Sequence, residues 1–116
     1  MQIQINTDNN IDSGDKLTSL IEGEIESSFG AFQDRLTTVD VHLGDESAGR
    51  PSDNDMRCMI EVRPRGHQSV AVSHHAETTH EAITGACHKM HSRLETLFGR
   101  LDHDRASHTT VRGTTP

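Results

Sequence analysis

The sequence predicts an α+β domain of order β-α-β-β-β-α, a four-stranded sheet with two helices packed on one face. Three observations lead there. Four short segments alternate apolar and polar residues. Two longer segments place their apolar residues on one helical stripe. Clusters of Gly, Pro, Asn and Asp separate these segments. A strand with one apolar face and a helix with one apolar stripe each need a partner. Laying both helices on one sheet face, with the other face wet, satisfies all six elements.

Met1 to Asn6 reads as the first strand, with Ile3 and Ile5 alternating with Gln2 and Gln4. Asp8-Asn9-Asn10 follows as a turn, and Asp12 or Ser13 can cap a helix with a side-chain oxygen. Asp15 falls in the first turn, where a negative charge meets the positive helix end. The first helix is expected from about Ser13 to Phe29. Leu17, Leu20, Ile21, Ile25, Phe29 and Phe32 form its apolar face, and Gly30 its terminator.

Leu36 to Leu43 reads as the second strand, with Val39, Val41 and Leu43 on one side and Thr38, Asp40 and His42 on the other. Gly44 to Asp55 has no apolar period and reads as a loop. The third strand runs from Met56 to Arg63. It sets Met56, Cys58, Ile60 and Val62 against Arg57, Met59, Glu61 and Arg63. Pro64 ends it, and Arg65-Gly66-His67 suits a tight hairpin into a fourth strand, Gln68 to His75, with Val70 and Val72 inward. The second helix is expected from about Glu77 to Leu101. Its stripe is Ile83, Ala86, Cys87, Met90, Leu94, Leu97, Phe98 and Leu101. One domain thus occupies residues 1–101. Residues 102–116 show no apolar period and are expected to be a disordered C-terminal tail, having little apolar surface to bury.

The 116 residues match the size of one domain. Only 3% are aromatic, with no Trp or Tyr, so the core must be aliphatic and Met side chains around Phe29, Phe32 and Phe98. No apolar run is long enough to span a bilayer, and no basic-then-apolar leader opens the chain, so the expected location is the cytoplasm, without a membrane partner. Cys58 and Cys87 form no CxxC pair and lie among apolar neighbours, which predicts two buried, reduced thiols. There is no GxSxG, no phosphate-cradling glycine loop and no HExxH. An enzyme, a small-molecule substrate and a cofactor are therefore not expected.

Charge divides the chain. Residues 1–55 hold twelve Asp/Glu against Lys16, Arg35 and Arg50, a balance of -9. Residues 56–116 hold Lys89 and seven Arg against six Asp/Glu, a balance of +2, and carry eight of the nine His. The second half can approach a polyanion that the first half repels, and protonated His would sharpen the contrast. On a helical wheel Lys89, Arg93 and Arg100 fall within roughly 40° of one another, beside the apolar stripe. Arg57 and Arg63 share a strand face, and Arg65 follows in the hairpin. These six are the candidate phosphate contacts, since an Arg fork grips phosphate with two bonds. The plainer alternative is that they are solvated cations, some paired with Glu95 or Glu61. His74, His75, His80, His88 and His91 cluster as well, with His88 and His91 on neighbouring helix surface. Imidazoles so placed can hold zinc or nickel, but no nearby Cys or acid completes a structural zinc signature, so a solvated or pH-dependent cationic face is expected rather than a metal.

The segments MQIQIN, FQDRLTTVDVHL and HEAITGACHKMHSRLETL, in this order, resemble the ribosome hibernation factors, also called the sigma-54 modulation or ribosome-associated inhibitor family. Asp34-Arg35 and Ala82-Ile83 match the family pattern, and Lys89-Met90 stands where the family has Lys-Leu. The resemblance covers about residues 1–101 and implies a short-form member without the extra C-terminal domain that pairs ribosomes. It implies a non-catalytic protein that binds the 30S subunit, through 16S rRNA and ribosomal proteins, in the channel used by messenger and transfer RNA, and silences translation under stress. This chain departs from the pattern in its first helix, where Lys16 stands against Glu22, Glu24 and Glu26, and in having His80 near the usual Tyr and Thr84 near a usual Asp. The alternative implied by those departures is a protein-interaction module of the same fold that has lost RNA binding.

Overall fold

Alternation decides which face of the sheet is dry, and the strands agree on it. In a computed structural model that describes residues 1–8, 14–46 and 55–111, with side chains to residue 103, β1 (Gln2–Thr7), β2 (Leu36–Asp45), β3 (Met56–Pro64) and β4 (Val70–Ala76) form one sheet in the order β1-β2-β3-β4. β1 and β2 are parallel, because the helix α1 (Asp15–Phe29) crosses between them, while β2–β3 and β3–β4 are antiparallel. The register Ile5↔Val41↔Ile60↔Val72 runs across all four strands and puts the apolar residues of each on one face. The opposite face carries Gln4↔Asp40↔Glu61↔Ala71. The α+β order and the shared face are as the periodicity predicts.

Both helices cover the dry face. Ile21, Ile25 and Phe29 of α1 and Ala82, Ile83, Ala86, Met90, Leu94 and Phe98 of α2 (Thr79–Val111) are buried in one cluster with the inward residues of β2 and β3. One detail of the first stripe differs. Leu20 is 36% exposed, because the i, i+4 ladder Leu17–Ile21–Ile25–Phe29 already faces the sheet and Leu20 falls on the flank. α1 ends at Phe29 with Gly30 as its C-cap, as expected, but Gly30 does not turn left-handed. It keeps right-handed dihedrals, and Gly30–Arg35 tightens into a 3-10 helix that carries Phe32 to the core edge.

The helix ends are set by different means. The capping candidates Asp12 and Ser13 lie outside the described residues, and α1 begins after Gly14, with no side-chain cap. α2 begins two residues later than expected. Thr78 accepts the Glu81 N–H on its hydroxyl at 3.1 Å, the first half of a Thr-x-x-Glu capping box that the sequence displays. α2 continues to Val111, past the expected end at Leu101, and 112–116 lie outside the described residues. The loop expected over Gly44–Asp55 is shorter at its start, since β2 reaches Asp45, and 47–54 lie outside the described residues.

β4 and α2 meet with little space between them. A Cβ on Gly85 would overlap the His74 imidazole, so glycine here admits the half-buried ring between strand and helix. Cys58 of β3 and Cys87 of α2 are buried free thiols in the same core cluster.

Candidate nucleic-acid interface

Three elements position the predicted cations, in three places. On α2, Lys89, Arg93 and Arg100 stand exposed on one flank. Lys89 donates its ammonium to the Ser73 carbonyl at 3.0 Å, which ties that flank to the edge strand. Arg93 and Arg100 have no hydrogen bond or ion pair among the described residues. Glu95, a conceivable partner for them, instead meets His91 Nδ1 at 3.3 Å, four residues back along the helix.

The second place is the β3–β4 hairpin. Arg63 is exposed opposite Thr38, and its backbone carbonyl accepts the Thr37 hydroxyl at 2.9 Å. Arg65 donates Nε to the Asp34 carbonyl at 2.9 Å, and its N–H goes to the Arg35 carbonyl. Gly66, at φ 69°, makes the left-handed turn that a side chain would strain. Arg65, Gly66 and His67 share a surface depression with Arg35, Phe98 and Leu101. The hairpin therefore lies against the same helical turn that carries Arg100.

The third place is Arg57, at the far end of β3. It faces Gly44 and His75 across the sheet, and it lines a depression with Asp8 and Glu46. Six residues of extended strand separate it from Arg63, roughly 20 Å. Between them Glu61 faces Asp40 directly, an unfavourable like-charge pair at the centre of the open sheet. The shared face of Arg57 and Arg63, read from period two, is real, but it does not bring them together.

Arg35 was not among the candidates, although it belongs to the Asp34-Arg35 segment beside the hairpin. Its guanidinium lies 4.0 Å from the centre of the Phe98 ring and donates two 3.1 Å bonds to the Asp102 carboxylate. Its charge is thus spent on joining the 3-10 helix to α2. No sequence spacing links positions 35 and 102, so only the fold shows this contact.

The histidines take separate partners. His75 Nε2 meets Glu46 Oε1 at 2.7 Å, His91 stacks obliquely on Phe32 as well as meeting Glu95, and His74 packs on Gly85. Among the described residues no three His, Cys, Asp or Glu side chains are gathered as metal ligands. Burial pushes the Cys58 thiol up to about 12, reinforced by Cys87. Burial likewise pushes Cys87 up to about 11, against a hydrogen bond from Ser28. Both thiols stay protonated and inert at neutral pH. No helix of the described residues is long and apolar enough to cross a membrane.

Against known proteins, the family model described as sigma 54 modulation protein / S30EA ribosomal protein matches residues 3–102. Among solved structures, the Thermus thermophilus Protein Y N-terminal domain has a TM-score of 0.68 at 21% identity, covering 84% of this chain and 99% of its own. A ribosomal subunit interface protein from Coxiella burnetii has a TM-score of 0.70 at 13% identity, covering 85% of this chain and 99% of its own. At these identities the likeness is one of fold. No curated protein matches the chain.

Proposed function

We propose a ribosome-binding role for this chain because it belongs to the sigma 54 modulation protein / S30EA ribosomal protein family, a family of ribosome-associated factors rather than of enzymes. The partner is the 30S subunit, met through 16S rRNA and neighbouring ribosomal proteins in the cytoplasm. Occupying the messenger and transfer RNA channel there silences translation under stress. The observation that carries this reading is the family match over residues 3–102, which takes in β1 from Ile3, the other three strands and the whole cationic flank of α2.

The chemistry of that flank supports it. RNA binding rests on cations that neutralise phosphates and release counterions. Arg93 and Arg100 have no hydrogen-bond or ion-pair partner among the described residues, and Lys89 stands in the same row. Arg63 and Arg65 extend the positive surface around the hairpin. Arg57 lies apart, among acids, and is the weakest of the six candidates.

Sedimentation with purified 30S subunits tests the role. The chain is expected in the pellet at low salt and progressively in the supernatant as salt rises. Failure to pellet at low salt removes the ribosomal reading. The triple substitution K89E/R93E/R100E is expected to weaken binding at least tenfold. It should also reduce the dependence of log K on log salt by about 2, near 0.7–0.9 per lost phosphate contact. Unchanged binding removes the flank from the interface, and R57E serves as the comparison expected to change little.

A further inference from the structure

We propose that the free edge of β1, beneath the acidic flank of α1, is a docking groove for an extended cationic segment of a partner protein, which adds there as a fifth strand. This surface is separate from the cationic flank of α2, and the inference stands whether or not that flank binds RNA.

The sheet has two edges, and they are treated differently. β4 is covered at its middle by Lys89, whose ammonium binds the Ser73 carbonyl. Among the described residues β1 has no such cover. Its six residues, Gln2–Thr7, include no charge, Pro or Gly, the usual devices that blunt an edge. The outward backbone groups can be assigned. Asp8 donates its N–H to the Leu43 carbonyl, so the even-numbered residues face β2. By alternation Ile3, Ile5 and Thr7 turn their N–H and C=O groups to the free edge. Among the described residues nothing bonds to those groups.

A groove lies beside this edge. Ile3, Ile5 and Thr7 form its floor, and Leu17, Thr18 and Glu22 of α1 form its wall. Ile3, Ile5 and Leu17 remain half-buried, unlike the sealed core of β2 and β3. An added strand would lay every second side chain on this apolar floor and complete the burial. This is the arrangement by which sheets recognise peptides: backbone bonds supply affinity and alternate side chains supply selectivity.

Charge selects the occupant. On the α1 wheel Asp15, Glu22 and Glu26 fall within roughly 40° of one another, while Lys16 lies about 100° away from Asp15. None of the three acids has an ion-pair partner among the described residues. A strand with Lys or Arg at its groove-facing positions would lay their aliphatic stems along the apolar floor and bring their charged ends to these carboxylates. A second copy of this chain is a poorer match. Pairing β1 with β1 about a two-fold axis places both α1 helices on one side of the joined sheet and sets two acidic rows against each other.

The test uses the full chain, isotope-labelled for NMR, and an acetylated, amidated seven-residue peptide alternating Lys or Arg with Val. On addition of the peptide, the Ile3, Ile5 and Thr7 amides should gain at least tenfold protection from hydrogen exchange. Chemical-shift changes should concentrate on β1 and the groove side of α1. Two control peptides carry backbone N-methyl groups, one at the Val positions and one at the Lys/Arg positions. One should bind at least tenfold more weakly and the other nearly normally, because only alternate amides face β1. Equal binding by both overturns strand addition. A Glu-for-Lys/Arg peptide should not bind, and E22K/E26K should lower the affinity for the cationic peptide at least tenfold. Where that variant fails to fold, loss of wild-type binding as salt rises reads the same charge dependence. Equal binding of the acidic peptide, or binding indifferent to salt, overturns the cationic assignment. A dimer in sedimentation with these three amides already protected before peptide is added overturns the choice of occupant.

Discussion

At Gly85 the helix approaches the sheet more closely than a methyl group allows, and this makes one residue a gauge of the α2–β4 packing. Alanine ordinarily favours a helix over glycine by about 1 kcal/mol. Here its Cβ would overlap the His74 ring, and overpacking of this kind costs about 1–3 kcal/mol. Gly85→Ala is therefore expected to lower stability in urea unfolding, and the same change in a His74→Ala background to raise it. Gly23, whose added Cβ meets nothing within 4 Å, is the control at which alanine should stabilise. The buried thiols supply a second prediction, in alkali. With native values raised to about 12 and 11 from an ordinary 9.0, the unfolded chain releases its thiol protons first. Fewer protons on the unfolded chain make stability fall as pH rises. The thiol contribution is intact below pH 9 and declines from there towards the native values, by about 1 kcal/mol per thiol between pH 8 and 10. Urea midpoints at those two pH values should move apart in the wild type and less in C58A/C87A.

Among the elements, the start of α2 depends on a single side chain. Thr78 satisfies a backbone N–H that would otherwise lack a partner, and Thr78→Ala is expected to cost about 1 kcal/mol, read as a lower urea midpoint with unchanged slope. The Thr-x-x-Glu pattern was visible in the sequence, yet apolar period alone placed the helix start at Glu77. Element type and order were legible because each strand and helix repeats its own period several times, as in Val39, Val41, Leu43 or Leu17, Ile21, Ile25. Boundaries were less so, because a boundary rests on one or two residues. Gly30 shows why. Glycine can stop a helix by turning left-handed, but it also fits a right-handed 3-10 continuation, and the packing of Phe32 against Phe98 accompanies the second course. The candidate cations were legible as rows but not as a site. The wheel places Lys89, Arg93 and Arg100 together, whereas the distance from Arg57 to Arg63 and the capture of Arg35 by Asp102 depend on contacts far apart in sequence.

For the molecule as a whole, the helix layer is polarised. α1 carries four acids against Lys16, α2 balances four acids with four cations, of which Arg93 and Arg100 have no partner among the described residues, and the Arg35–Asp102 contact joins the 3-10 helix to α2 near the hairpin. That contact also marks where the folding unit should end. Phe98 is the last fully packed aromatic, Leu101 packs partly on the core, and Asp102 holds the Arg35 guanidinium over Phe98. The backbone of α2 runs on to Val111, but the sequence offers only Ala106 and Val111 as apolar residues there, and among the side chains described, to His103, the core cluster gains none after Leu101. A chain ended after His103 should therefore keep its fold, with a melting temperature within a few degrees of the full chain. Ending it after Arg100 removes Leu101 and Asp102 together. An exposed ion pair of this type is worth at most about 1 kcal/mol, and exposing a half-buried Leu adds about 1 kcal/mol. For a domain of this size a loss of about 2 kcal/mol lowers the melting temperature by roughly 8–16 °C. Calorimetry of the two truncations separates the possibilities. A large drop already at His103 would show that the distal turns of α2 help to hold the domain, and no drop at Arg100 would remove the Arg35–Asp102 contact from the account of what stabilises it.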